Sequence, residues 1–336
     1  MSKADGKRIL IFGGWFGSRN AGDEAILLGC KKVLERAIPG ARIFAHSTDP
    51  AYTRDVCGVE PVFAPQDAHF LNKLRALVRA YRSMDLFLVS GGTPILDSRY
   101  AGRAFHFGVP LLFGVPMVFF GIGTKRIESR YGRWFYRTVL RRAKYISVRD
   151  PGVREYLAAM GIRAAMALTA DSAICVDSEQ GPAVERILVD AGLDPARPLV
   201  AICPIFLSDD PVRHYHDAIP GERRQNAYRC LAQLADHLID SGRQVVFMAM
   251  HPLEPGDDHV AIREVRGQMR QSAPLLEPVD DPRRVAGLLG RMDMVVGMRL
   301  HAIVLASSRG VPVVAIDVEM KVRSYMEYLA MEGYCP

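Results

Sequence analysis

Residues 8–24 read RILIFGGWFGSRNAGDE, and this segment decides the fold. It begins with a short, continuous apolar run, continues through glycines and then enters a stretch with helical spacing of apolar residues. A buried strand followed by a glycine turn and a helix is the opening unit of a parallel α/β sheet. The segment therefore predicts a strand at residues 8–13 and a helix at residues 21–37.

The same alternation of strand and helix continues along the chain. Each apolar run is followed by a longer segment with helical periodicity, which predicts parallel sheets covered on both faces. Further strands are predicted at residues 42–46, 86–90, 117–121, 145–148, 165–168, 199–204, 244–249, 294–297 and 311–316. Further helices are predicted at residues 70–82, 99–113, 129–142, 151–160, 222–240, 257–270, 282–289, 300–309 and 321–329.

The length of 336 residues suits two domains better than one core. The polar, proline-containing stretch 177–182 is the best linker, and the basic stretch 209–224 is predicted to be a loop. We therefore predict an α/β protein with two Rossmann-like doubly wound domains, residues 1–178 and 179–336. This organisation resembles the GT-B architecture of many glycosyltransferases, which predicts an active site in the interdomain cleft.

The composition is that of a globular protein that handles anions. Hydrophobic residues make up 49% and charged residues 24%, and the net charge is +6. This mild excess fits an enzyme with anionic substrates or a protein that visits an anionic membrane surface, and both interpretations stay open. No motif or concentrated basic tail indicates nucleic-acid binding.

The cysteine pattern gives no sign of a metal site. The six cysteines are far apart and none has CxxC spacing, so neither a zinc knuckle nor a redox motif is expected. The first residues lack the apolar core of a signal peptide, which predicts a cytoplasmic protein. The most apolar stretch, residues 109–123, is too short to span a bilayer.

The first segment with chemical potential follows the first strand. Gly13 and Gly14 would let a ligand approach the backbone at the strand's carboxyl end, although the spacing is not a GxGxxG dinucleotide fingerprint. Asn20 caps the following helix, and Asp23 either closes a capping box or faces a ligand. Both interpretations of Asp23 stay open.

Two more strand ends carry candidate residues. Gly91 and Gly92 follow the strand at residues 86–90 and predict a second turn that a ligand can approach. Arg149 follows the next-but-one strand, where its planar guanidinium can bind a carboxylate or phosphate through two parallel hydrogen bonds. The alternative is that Arg149 pairs with Asp150 or with another acid.

The strand at residues 294–297 leads into a helix that begins at Leu300. A helix N-terminus favours anions, Arg299 adds a fixed positive charge, and His301 can transfer a proton. We therefore predict an anion site at these three residues. His251, which follows the strand at residues 244–249, is a secondary candidate; the alternative is that Pro252 merely shapes a turn there.

These segments together resemble the polysaccharide pyruvyl transferase family. The resemblance extends from about residue 8 to about residue 325 and rests on Asn20-Ala-Gly-Asp23, Ser90-Gly-Gly, Ser147-Val-Arg149-Asp and Gly297-Met-Arg299-Leu-His301-Ala. It implies a GT-B-like fold, phosphoenolpyruvate as the donor and a sugar acceptor that gains a pyruvate ketal. It also implies that Arg149, Arg299 and His301 hold the donor. Relatives continue past the last helix, so a C-terminal segment that crosses back to the first domain is expected to be short or missing.

The predicted mechanism uses one acid and one base, and it needs no metal and no redox cofactor. His301 delivers a proton to the methylene carbon of phosphoenolpyruvate, and Asp23 accepts a proton from a sugar hydroxyl. Arg149, Arg299 and the helix start at Leu300 neutralise the donor's carboxylate and phosphate. The C-terminal domain is the predicted donor side. The N-terminal domain is the predicted acceptor side, with contacts from Gly13, Gly14, Asn20, Asp23, Gly91 and Gly92.

The expected partners are phosphoenolpyruvate and a sugar or lipid-linked oligosaccharide of surface polysaccharide or exopolysaccharide biosynthesis. The basic amphipathic helices at residues 70–82 and 129–142 predict either peripheral contact with the inner membrane surface or ordinary packed surface helices. Two other functions stay open. One is a GT-B glycosyltransferase or sugar-nucleotide epimerase, and the other is a non-catalytic glycan-binding member of a polysaccharide assembly.

Overall fold

The computed structural model describes residues 6–13, 15–63, 69–97, 100–207, 221–253 and 257–335. The chain divides into two compact units, each with its own parallel sheet. Unit 1 comprises Met1–Ser18 and Asp23–Val176, and unit 2 comprises Arg19–Gly22 and Asp177–Pro336. Gly14 and most of the predicted loop at residues 209–224 lie outside the described residues.

Unit 1 contains a seven-stranded sheet in the order β3-β2-β1-β4-β5-β6-β7, with parallel neighbours throughout. Its strands are β1 (Arg8–Phe12), β2 (Arg42–His46), β3 (Glu60–Val62), β4 (Leu86–Ser90), β5 (Met117–Ile122), β6 (Tyr145–Val148) and β7 (Met166–Leu168). This is the strand order of a Rossmann fold. The order reverses between β1 and β4, and ligands of such sheets bind at the carboxyl ends of the strands beside this reversal.

Six helices connect these strands: α1 (Ala21–Ala37), α2 (Pro50–Asp55), α3 (Phe70–Arg82), α4 (Tyr100–Leu112), α5 (Arg130–Leu140) and α6 (Pro151–Ala159). Right-handed crossovers place α1 and α2 on one face of the sheet and α3 to α6 on the other. On the second face α4 packs between α3 and α5. The sheet is covered on both sides, which explains why β1 is apolar along its length and why Ile9, Leu10 and Ile11 are fully buried.

Unit 2 contains a four-stranded parallel sheet in the order β11-β10-β8-β9. The strands are β8 (Leu199–Cys203), β9 (Gln244–Phe247), β10 (Met294–Gly297) and β11 (Val313–Ala315), and the helices are α7 (Pro182–Asp190), α8 (Gly221–Asp240), α9 (Asp258–Arg266), α10 (Pro282–Leu289), α11 (Leu300–Ser307) and α12 (Met320–Tyr328). The strand order reverses between β8 and β10, so the ends of these two strands mark the ligand-binding edge of unit 2.

The predicted parallel α/β architecture is confirmed, and most elements lie within a few residues of their predicted bounds. The elements β3, α2 and α7 were not predicted. Strand β3 and helix α2 are short, and β3 contains Pro61, which is tolerated because β3 lies at the sheet edge. Helix α9 ends at Arg266 instead of residue 270 because Gly267 forms its C-cap.

Candidate functional site

In unit 1 the carboxyl ends of β1 and β4 meet at the reversal point of the sheet. Gly13 has a φ of 153°, and a Cβ atom on it would lie 1.5 Å from the carbonyl oxygen of Ser90. Only glycine fits this close approach. Asp23 lies beside the second glycine turn, because a Cβ on Gly92 would be 3.2 Å from Asp23 Oδ1. The structure thus brings together the first turn, the Ser90-Gly91-Gly92 turn and Asp23.

Arg149 lies further along the same edge, directly after β6, and its side chain is only 4% exposed. Its Nη1 donates to Asp171 Oδ2 at 3.2 Å, and its Nε is 3.6 Å from Asp150 Oδ2. The guanidinium lies against Gly123, on which a Cβ would be 2.7 Å from Nη2. Because Gly123 N also donates to Gly92 O at 3.2 Å, Arg149 is linked to the glycine turn.

Both carboxylates beside Arg149 also begin a helical turn. Asp150 accepts a hydrogen bond from Val153 N at 2.9 Å as the N-cap of α6. Asp171 accepts one from Ala173 N at 3.0 Å as the cap of a short 3₁₀ turn. The ion pair with Asp150 is the one that the alternative interpretation named, whereas Asp171 was not predicted. The contact of Arg149 with a donor stays a prediction.

In unit 2 a second arginine lies at the start of α11. Arg299 is the N-cap residue, and its Nε lies 3.1 Å and 3.0 Å from the two carboxylate oxygens of Asp258. Its Nη2 donates to Asp258 Oδ1 at 2.6 Å. Such a bidentate, charge-assisted contact fixes the plane of the guanidinium. Asp258 itself is fully buried.

Asp258 joins three strand ends of unit 2. Besides Arg299, which follows β10, it accepts hydrogen bonds from the backbone N–H groups of Phe206 after β8 and of Met250 and His251 after β9, at 3.2, 3.2 and 3.0 Å. His251 in turn accepts one from Asp258 N at 2.9 Å and is itself buried. The secondary candidate His251 is therefore held beside the Arg299 ion pair.

The ring of His301, in the first turn of α11, lies directly on Gly22, and both residues belong to unit 2. A Cβ on Gly22 would be 2.0 Å from His301 Nδ1 and 2.3 Å from Cγ. Asn20 Oδ1 accepts a hydrogen bond from Gly22 N at 3.1 Å, and Ala21 N donates to Met250 O at 2.9 Å. The Asn-Ala-Gly segment and the Arg-Leu-His segment are thus packed together.

Leu300 contributes to this region through its backbone, because its side chain is buried in the core of unit 2. A donor contact at Leu300 would therefore use the N–H group at the start of α11. This agrees with the general preference of helix N-termini for anions.

The buried thiols near these edges are not nucleophiles. Burial raises the pKa of Cys203, at the end of β8, and the Asp258 carboxylate raises it further. In unit 1, Cys30 donates to Ser90 Oγ at 3.0 Å, and burial raises its pKa to about 11. Both thiols are therefore protonated at neutral pH, when only a thiolate would be reactive.

Sequence reasoning missed three buried carboxylates. Asp171 and Asp258 hold the two arginines, and Glu24 accepts a hydrogen bond from Gly17 N at 2.7 Å. For Asp171 the available signal was its place just after the strand at residues 166–168. For Asp258 it was the acidic pair 257–258 that follows His251.

The described residues hold no cluster of metal ligands. They contain no group of three or more His, Cys, Asp and Glu side chains that could hold a metal ion. Within the same described part of the chain, every helix is too short or too polar to cross a membrane.

Solved structures with a similar fold are sugar-processing enzymes. The UDP-GlcNAc 2-epimerase of Methanocaldococcus jannaschii matches with a TM-score of 0.62 and 10% identity, covering 96% of this chain and 86% of that one. The ADP-heptose LPS heptosyltransferase II of E. coli matches with a TM-score of 0.52 and 19% identity, covering 92% and 84%. These are GT-B glycosyltransferases and epimerases, and the likeness defines this chain as a protein of the GT-B-like fold class.

The family follows from the sequence. A profile of the polysaccharide pyruvyl transferase family matches residues 20–319, and the chain belongs to this family. The family comprises transferases that act on polysaccharide, so the acceptor is a sugar or oligosaccharide. No curated protein matches the chain significantly.

Proposed function

We propose that the protein transfers a pyruvyl group from phosphoenolpyruvate to two hydroxyls of one sugar, forming a pyruvate ketal in surface polysaccharide or exopolysaccharide biosynthesis. The observation that carries this proposal is the family match over residues 20–319. The packing of His301 and Arg299 at the start of α11 supports it, because an acid beside a fixed cation suits an anionic enol donor. The reaction takes place in the cytoplasm, on a free or lipid-linked acceptor.

The donor carries a carboxylate and a phosphate, and unit 2 offers positive charge for one of them. Asp258 holds the Arg299 guanidinium in place through Nε and Nη2, at the start of α11. The N–H groups at the start of α11 add partial positive charge close by. In the proposal these groups bind the phosphate, and Arg149 binds the second anionic group of the donor.

The chemical step begins with proton transfer from His301 to the methylene carbon of phosphoenolpyruvate. The carbon that carries the phosphate becomes electrophilic, and a sugar hydroxyl oxygen bonds to it while Asp23 takes the hydroxyl proton. The C–O bond to phosphate then breaks, and a second hydroxyl of the same sugar bonds to the same carbon. One proton is consumed and two are released, so the products are the ketal and hydrogen phosphate, without oxidation or reduction.

The acceptor side of the proposal rests on unit 1. The turns at Gly13 and Gly92 lie at the reversal point of the sheet, where ligands of such sheets bind, and Asp23 lies beside Gly92. A carboxylate at this place can accept a hydroxyl proton, and backbone amides can bind the remaining hydroxyls.

The proposal is tested by incubating the protein with phosphoenolpyruvate and a panel of sugar and lipid-linked acceptors. Phosphate release is measured together with the acceptor mass, which should increase by one pyruvate less one water. We expect both signals from the wild type. We expect a loss of activity of about a thousandfold in His301→Ala, since general acid catalysis contributes roughly 10²–10⁴-fold.

His237→Ala is the matched control, because His237 is an exposed histidine on α8 outside the site. It should retain wild-type activity. Wild-type ketal formation by His301→Ala would exclude the acid role. Binding of a uridine diphosphate sugar without phosphate release from phosphoenolpyruvate would refute the proposal and favour a glycosyltransferase or epimerase. Binding of a glycan with no reaction of either donor would favour a non-catalytic member.

A further inference from the structure

The outer surface of α3, α4 and α5 in unit 1 carries an excess of positive charge. These three helices contain eight basic residues and no acidic residue: Lys73, Arg75, Arg79, Arg82, Arg103, Arg130, Arg133 and Arg137. The whole chain has a net charge of only +6. The rest of the sequence is therefore close to neutral, and the charge asymmetry of the protein is concentrated on this one face.

Most of these cations point to solvent. Arg75, Arg79 and Arg82 on α3 and Arg130 and Arg133 on α5 are exposed, and so is Arg141, the C-cap residue of α5. Among the described residues, none of these six lies within salt-bridge distance of a carboxylate. Exposed cations outside salt bridges create a field that attracts an external anion.

Large apolar side chains are exposed on the same face. Leu112, at the end of α4, is 79% exposed, and Trp134 on α5 is 59% exposed. Phe113 and Tyr131 are also exposed, and the Arg82 guanidinium lies 4.7 Å from the centre of the Phe113 ring. Exposing such side chains to water is unfavourable, and clusters of them mark interaction surfaces.

Helix α5 shows the combination most clearly. Its inward side places Phe135, Tyr136 and Val139 in the core of unit 1. Its outward side alternates arginine with Tyr131 and Trp134, whose rings lie 5.8 Å apart. Arginine beside tryptophan and tyrosine is typical of a helix that lies in a membrane interface, where the rings enter the headgroup region and the cations contact anionic lipids.

We propose that this basic face docks the protein on an anionic lipid bilayer. The face consists of the exposed side chains of α3 and α5 together with Leu112 and Phe113 at the end of α4. Charge complementarity favours the bilayer over a second copy of the chain, since two such basic faces would repel each other. The exposed Leu112 favours a bilayer over a nucleic acid. An aliphatic side chain is stabilised by burial among acyl chains, but it offers no surface on which a base can stack. The inference deepens the proposed function by naming where the acceptor is met, but it does not depend on the donor chemistry.

The test is vesicle flotation with phosphatidylcholine alone and with phosphatidylcholine containing phosphatidylglycerol. The wild type should float only with the anionic vesicles, and less so at high salt. Each basic residue near such a surface contributes about 1 kcal/mol, so R79E/R141E should bind about 30-fold more weakly or worse. The emission of Trp134 should shift to shorter wavelength on binding, and this shift should be absent in Trp134→Phe.

The matched control is R223E/R229E, which makes the same charge change on exposed arginines of α8 in unit 2. It should float like the wild type, and both double variants should keep the wild-type unfolding midpoint. R79E/R141E should also keep wild-type pyruvyl transfer to a water-soluble acceptor, which separates docking from chemistry.

Four results would overturn the docking proposal. They are failure of the wild type to float with anionic vesicles at low salt, equal binding to neutral vesicles, equal loss in both double variants, or tight binding of a single-stranded oligonucleotide without vesicle binding. A wild type that forms the ketal but never floats would leave the proposed function intact and remove the docking face.

Discussion

Arg149 in unit 1 and Arg299 in unit 2 occupy similar places, each between the end of a parallel strand and the start of a helix. Their counter-charges differ. Among the described contacts, Arg149 pairs with two buried carboxylates, Asp150 and Asp171. Arg299 pairs with the fully buried Asp258, which also accepts three backbone hydrogen bonds.

This difference indicates that the two arginines have different roles. An anionic donor is favoured at a helix N-terminus, and Arg299 is the N-cap residue of α11. Arg149 acts mainly as a buried cross-link. It binds Asp150 and Asp171, which begin α6 and the 3₁₀ turn. The comparison gives Arg299 the larger role in the proposed donor site and Arg149 the larger role in stability.

The largest expected effect is on stability in unit 1. Arg149→Met leaves two buried carboxylates without their cation, so the free energy of unfolding should fall by about 3–5 kcal/mol. Denaturant unfolding measures this, with the exposed Arg154→Met on α6 as control. Adding Asp171→Asn to Arg149→Met should recover part of the loss. If it recovers nothing, the ion pair is not the cause.

A smaller loss is expected from the same change in unit 2. Arg299→Met leaves Asp258 with its three backbone donors, so the unfolding free energy should fall by about 2 kcal/mol. Arg299→Lys, which keeps the charge but loses the planar fork, should raise the KM for phosphoenolpyruvate by about tenfold. A stability loss equal to that of Arg149→Met would break the comparison between the two arginines.

The third prediction concerns the contact beneath His301. Gly22→Ala places a methyl group where the imidazole now lies, so the ring must shift, and kcat should fall by about tenfold or more while the KM for the donor changes little. Gly108→Ala on α4 is the control, since a Cβ there meets open space. Unchanged kcat in Gly22→Ala would show that the position of the ring does not limit the reaction.

The smallest expected effect is a difference between the two units in how their stability depends on pH. Burial lowers the pKa of His46 to about 4 and that of His106 to about 3, and their rings lie 4.8 Å apart in unit 1. Unfolding restores a pKa of 6.5, so the stability contribution is complete above this pH and is lost as the pH falls towards the folded values. At about pH 5.5, His46 alone should cost unit 1 about 1 kcal/mol.

Hydrogen exchange resolved by residue can measure this loss between neutral pH and about pH 5.5. Protection should fall more in the β1–β2 region of unit 1 than in the sheet of unit 2. His46→Asn should make the pH dependence shallower and leave the contribution of His106, whereas His237→Ala should not change it. An equal fall of protection in both units would assign the acid sensitivity to other groups.

The sequence predicted the strand ends well because continuous apolar runs and glycines are local signals. Residues such as Gly13 and Arg299 follow from position alone, once the strands are known. Their partners do not, because Asp258 is 41 residues from Arg299 and Asp171 is 22 residues from Arg149. The order of strands in the sheet decides which acid meets which arginine. Local patterns in a single sequence do not reveal that order.

Helix α7 was not predicted for a different reason. Helix α7 begins with Pro182 at its first turn, which is also the residue that made the stretch before it look like a linker. In the structure Glu179 N donates to Arg283 O at 2.9 Å, and the Glu179 carboxylate pairs with Arg284. A polar stretch that is fixed by a neighbouring helix has the composition of a linker but not its freedom.

Four residues from near the start of the chain, Arg19–Gly22, belong to unit 2, where Gly22 supports His301 and Arg19 pairs with Asp280. Unit 2 is therefore discontinuous in the gene. Recombination that exchanged the first 176 residues with those of a relative would also exchange the residue beneath the imidazole. A chimera that keeps the contact between residue 22 and His301 must therefore take these four codons from the same parent as the second half.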